Sequence, residues 1–147
     1  KSAVFTTEKT PFEIGKAIVL REGKDITIIG CGMLLYNALL AAEELSKEGI
    51  EATVINSHTV KPLDITTILN SVKETKAVVT VEEHQVAGGL GSAVAETLAQ
   101  HFPAPQEFIG VRDRFGESGE PDELIETFGM GVKDIKAAVL RVMKRKL

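Results

Sequence analysis

The sequence predicts an α/β domain: a mostly parallel sheet with helices on both faces and one antiparallel strand at its edge. Three observations lead there. Short apolar runs alternate with segments of helical periodicity. The run at 26–29 is continuous rather than alternating, as in strands covered on both faces. Glycine or proline marks the junctions between runs. Parallel strands need crossover connections, and right-handed ones dominate, which puts helices on the sheet's faces.

Residues 1–13 (KSAVFTTEKTPFE) have little helical periodicity and are interrupted by Pro11. We read them as a lead-in, or the end of a preceding domain, with the domain itself at 14–147. Two β-prone runs, 17–21 and 25–29, flank a turn centred on Gly23 and predict an antiparallel hairpin. Gly30-Cys31-Gly32 ends the second run. A helix is expected from about 33 to 47, with Leu35, Leu39 and Ala42 on its buried side and Gly49 at its C-terminus. A strand at 52–56 and a loop at 58–62 follow. Asp64 is placed to cap a helix whose stripe is Ile65, Ile68, Leu69 and Val72. Next come a strand at 77–81, an exit at Glu82-Glu83-His84, a glycine-rich loop and a helix from about 90 to 101. A strand at 108–111 leads into a polar loop, and Pro121 opens a short helix that Gly129 ends. The last helix, about 132–146, buries Ile135, Val139, Val142 and Met143, and its basic end suits the helix dipole.

Composition narrows the function classes. One domain is expected from 147 residues, and a net charge of −4 offers no basic face for nucleic acid. No apolar run approaches the length of a membrane span, and no charged-then-apolar leader opens the sequence. Cys31 is the single cysteine, which rules out an internal disulfide and a multi-cysteine metal site and favours a reducing, cytoplasmic setting.

Ligands of such sheets gather beyond the carboxyl ends of the strands. That rule assigns four loops to one rim: 30–32, 58–62, 82–91 and 112–119. Gly30-Cys31-Gly32 begins like a dinucleotide fingerprint, but Leu35 stands where its third glycine belongs, so a tight strand-to-helix turn is the reading. Cys31 has no basic neighbour in sequence to activate it. Glu82, Glu83 and His84 combine carboxylates with an imidazole, suited to proton transfer or a weak metal site. Gly88, Gly89 and Gly91 can expose backbone N–H groups to an anion or simply allow a tight turn and close packing. We favour a structural or interface role. His58 and His84 can face each other across the rim, although zinc would need further ligands. Asp113 lies in a polar, glycine-punctuated loop that suits a ligand or a neighbouring domain.

Four stretches in order, FEIGKAIVLREGKDITIIGCG, EATVINSHTVKPLD, VVTVEEHQVAGGLGSAVAE and GVRDRFGESGEPDELIETFG, resemble the C-terminal domain of transketolases, especially the separately encoded C-terminal halves of split ones. The similarity runs from about residue 12 to the end. It implies a three-layer α/β/α sandwich with a five-stranded sheet, one strand antiparallel. It implies an enzyme that transfers a two-carbon ketol group between sugar phosphates using thiamine diphosphate and Mg²⁺. In the family those groups sit on two other domains, and the Gly-Asp-Gly motif that holds them is absent here. No catalytic, cofactor or metal residue is therefore assigned to this chain, and alone it is expected to be inactive. Its expected partners are the N-terminal and pyrimidine-binding domains, within a homodimer. His58, Glu82, Glu83, His84, Gly88, Gly89, Gly91 and Asp113 form the expected rim toward them. The alternatives are the same domain of a deoxyxylulose-phosphate synthase or of a 2-oxo acid dehydrogenase component. A stand-alone anion-binding or interaction module is the alternative from another class.

Overall fold

Strands β1 (Ile18–Arg21), β2 (Ile26–Gly30), β3 (Ala52–Asn56), β4 (Val78–Gln85) and β5 (Gln106–Val111) form one sheet, with the helices α1 (Leu34–Lys47), α2 (Ile65–Thr75), α3 (Leu90–His101) and α4 (Val132–Met143). The computed structural model describes residues 8–10, 12–111, 123, 125 and 128–147, with Gln85 described by its backbone only. The sheet order is β1-β3-β2-β4-β5, antiparallel at β1–β3 and parallel elsewhere.

Alternation along the strands divides the core. Ile28, Val54 and Val79 face α1 and α4. Ile29, Ile55 and Val78 face α2 and α3. The chain moves from β2 to β3 in one direction and then from β3 through β4 to β5 in the other. Right-handed crossovers in opposite directions must use opposite faces, and the helices do. The three-layer plan follows.

The hairpin is not formed. β2 is buried along its whole length and takes parallel neighbours on both edges, so neither edge is open to β1. β1 instead pairs with β3, Ile18 opposite Asn56. Gly23 serves a close crossing rather than a hairpin turn. A Cβ there would lie 2.5 Å from the Glu51 carbonyl carbon, and Gly23 N–H donates to Thr53 Oγ1 at 2.9 Å.

Other boundaries shift for local reasons. β4 starts at Val78 and runs through Glu82, Glu83 and His84, which were expected as its exit. The register passes from Val81↔Ile109 to Gln85↔Val111, so a four-residue step on β4 meets a two-residue step on β5. That irregularity lets the strand continue while turning side chains at the rim. β5 begins two residues early, at Gln106, whose amide ties it to the interior. In α2 the first residue, Ile65, is exposed while Ile68 and Val72 are buried. The stripe is completed by Thr75, whose hydroxyl meets that of Thr27 at 2.7 Å. α4 stops at Met143, which is only partly buried. Beyond it Arg145 donates to the Gln106 carbonyl and Lys146 to the Asp25 carbonyl, drawing the basic end onto the sheet. Asp113, the rest of its loop and Pro121 lie outside the described residues.

Candidate functional site

β2 lies between β3, reached by one crossover direction, and β4, reached by the other. Its carboxyl end is therefore the switch point of the sheet, where a crevice forms between diverging connections. The described parts of the predicted rim meet there. Cys31, Ser57, His58, Glu82, His84 and Gly88 help line one open cavity of about 600 Å³.

Glu82 is the organising residue, and it does not face outward. It is 2% exposed, and its two oxygens accept from the N–H groups of Leu90 at 2.9 Å and Gly91 at 2.7 Å. These are the first two amides of α3, whose N-cap, Gly89, has no side chain to offer. The exposed amides of the glycine-rich turn are thus met by the chain's own carboxylate, reaching eight residues forward, which is a structural use of the turn rather than an open anion site. Charge-assisted bonds to a helix N-terminus are among the stronger polar contacts. Glu82 is consequently committed, while Glu83 and His84 remain exposed at the surface.

The glycines divide their tasks. Gly88 has φ +83, a turn conformation, and its N–H donates to Ser92 Oγ at 2.8 Å. Gly91 permits close packing: a Cβ would stand 2.6 Å from Phe108 Cδ1 and 2.9 Å from Thr80 Oγ1. Gln106 Nε2 locks the same corner by donating to the Gly91 carbonyl at 2.9 Å and to Thr80 Oγ1 at 3.1 Å. Sequence reasoning missed the roles of Glu82 as cap and Gln106 as lock. The one available signal was a helix start with glycine, rather than Ser, Thr, Asp or Asn, at its cap.

Cys31 is half-buried, and burial followed by the charges of Glu82 and Glu83 pushes its thiol pKa up. That suppresses the thiolate a nucleophile needs. His58 Nε2 meets the Glu13 carbonyl at 3.1 Å, and its ring lies 4.5 Å from that of Phe12. Among the described residues no group of three or more His, Cys, Asp or Glu is arranged to hold a metal ion. A second cavity, about 590 Å³, opens at the amino ends of the strands beside Glu22, Glu51 and Glu74. It contains no histidine or cysteine, and Glu51 is engaged by Ser46 and Arg21. No helix among the described residues is long and apolar enough to cross a membrane.

A family model described as the transketolase C-terminal domain matches residues 15–135. A 6-deoxy-6-sulfo-D-fructose transketolase subunit of Clostridium sp. (strain MSTE9) is 51% identical over 140 residues, covering 95% of this chain and 44% of the relative. A 1-deoxy-D-xylulose-5-phosphate synthase of Desulfitobacterium hafniense (strain DSM 10664 / DCB-2) is 42% identical over 144 residues, 95% of this chain and 23% of the relative. Among solved structures, a split-gene transketolase described as an inactive beta4 tetramer superposes with TM-score 0.95 at 43% identity, over 99% of this chain and 48% of that one. The chain thus spans about half the length of the subunit relative and of the split-gene chain.

Proposed function

The chain belongs to the transketolase C-terminal domain family, and from that premise we propose that it is the C-terminal section of a split transketolase subunit. The assembled enzyme moves a two-carbon ketol group between sugar phosphates. The observation that carries this reading is the close superposition on about half of a split-gene transketolase chain. The same domain of a deoxyxylulose-phosphate synthase is the second reading, favoured by the synthase relative.

In this proposal the section is not catalytic alone. Thiamine diphosphate, when bound, supplies the carbanion chemistry, and with Mg²⁺ it sits on the preceding portions of the enzyme. The residues here fit that division. The sequence has no Gly-Asp-Gly motif, and Glu82 already serves two backbone amides. The contribution of this chain is architectural. Glu82 and Gly91 set the rim from within, and His58, Glu83, His84, Gly88 and Gly89 present it to the N-terminal and pyrimidine-binding portions. By its sequence position Asp113 joins that rim. A homodimer of the complete enzyme and a cytoplasmic setting complete the proposal, the latter resting on the single cysteine.

Titration calorimetry with thiamine diphosphate and Mg²⁺ tests the division. No binding is expected for this chain alone, with binding and ketol transfer appearing after it is combined with the rest of the enzyme. Binding by the chain alone would overturn the proposal.

A further inference from the structure

Residues 12–17 run beside the rim, and their backbone is what holds them. The Glu13 carbonyl meets His58 Nε2 at 3.1 Å, Gly15 N–H donates to Thr59 Oγ1 at 3.1 Å, and Ala17 N–H donates to Asp64 Oδ2 at 2.9 Å. Gly15 has φ +80, and a Cβ there would come within 3.1 Å of Pro62 Cγ, so this path calls for glycine. The large side chains behave differently. Phe12 rests one side on His58, yet it is 70% exposed, and Ile14 is 72% exposed.

A tail docked only for its own stability would do the reverse. Burying one large apolar side chain contributes about 1.5–3 kcal/mol, more than the roughly 1 kcal/mol net of a typical hydrogen bond. Here three backbone groups are fixed while two apolar side chains are held out to solvent. We propose that His58, Thr59 and Asp64 form a clamp on the lead-in, and that the clamp presents Phe12 and Ile14 as an apolar seat for the portion preceding this domain in the longer subunit. The occupant follows from connectivity. A body joined through the lead-in itself is tethered to the seat by the chain, at an effective concentration that an untethered partner does not reach. The proposal rests on the reading of this chain as the C-terminal section of a longer subunit.

Radical footprinting of the full-length subunit, without cofactor or substrate, tests it. Modification rates of Phe12 and Ile14 are compared with those of the same residues after denaturation. Covered side chains should react at least about tenfold more slowly, whereas side chains as exposed as in this chain should fall within about twofold. In the double variant H58A/T59V, which spares the helix cap at Asp64, protection at Phe12 and Ile14 should be lost while Ile28 and Val79 stay protected. Unprotected Phe12 and Ile14 in the wild-type subunit would overturn the seat. Protection that survives the double variant would overturn the clamp. A subunit that shows the protection but supports no ketol transfer in the assembled enzyme would defeat the activity reading and leave this one standing.

Discussion

Helices α2 and α3 both begin on the same rim, and they satisfy their first amides in opposite ways. α2 is capped by the residue just before it: Asp64 accepts from Thr67 N–H at 3.2 Å through Oδ1 and from Thr67 Oγ1 at 2.7 Å through Oδ2. α3 has glycine at that position and borrows a carboxylate from the neighbouring strand, with Glu82 reaching Leu90 and Gly91. The local cap keeps α2's start autonomous, and Asp64 has capacity left to hold Ala17. The borrowed cap makes α3's start depend on β4, so the glycine-rich turn and the strand end move as one body. The rim gains rigidity from the second arrangement, at the cost of burying a charge.

The sharpest way to break this contrast is Glu82→Ala. Two buried amides would lose a charged acceptor, and the variant should be destabilised by about 3–4 kcal/mol in urea unfolding. Glu82→Gln, with one acceptor oxygen, should recover part of that. A cost under about 1 kcal/mol for the alanine variant would mean that the remote cap is dispensable. Asp64→Ala should cost less, about 1–2 kcal/mol, because a local cap on a half-exposed helix start is lost. Equal costs for the two variants would erase the distinction.

The smallest effect is a pH dependence. Burial pushes the Asp64 carboxyl up, but hydrogen bonds from the Thr67 hydroxyl, the Ala17 amide and the Thr67 amide, with the charge of Lys16, outweigh it and hold the group below its ordinary value of 3.8. A carboxyl lowered on folding contributes stability above its unfolded pKa and loses it as pH falls through the folded one. The advantage of the wild type over Asp64→Asn, followed by thermal unfolding, should therefore be constant near neutrality and shrink below about pH 4. An advantage undiminished at about pH 2 would contradict the assignment of this carboxylate as the charged cap.

The comparison also explains what was legible. Asp64 could be recognised because a cap and its helix are sequence neighbours. Leu90–His101 was recovered with its bounds because its periodicity is intrinsic. Glu82 read as part of the strand's exit because nothing within four residues reveals that its strand continues and turns it inward. Gly23 read as a hairpin turn for the same reason: its real partners, the backbone at Glu51 and Ala52, are distant in sequence.

By itself the sequence determined the layered α/β plan and the gathering of loops at one rim. Strand and helix periodicities are local, and crossover handedness leaves few ways to assemble them. Only the tertiary structure decided that β1 joins β3, that Glu82 caps the helix after the glycine-rich turn, and that His58 and Thr59 hold the lead-in. Each of these is a pairing between groups eight to forty-five residues apart. Such partners are selected by which edges and amides remain open once the core has packed, and that is a property of the assembled sheet.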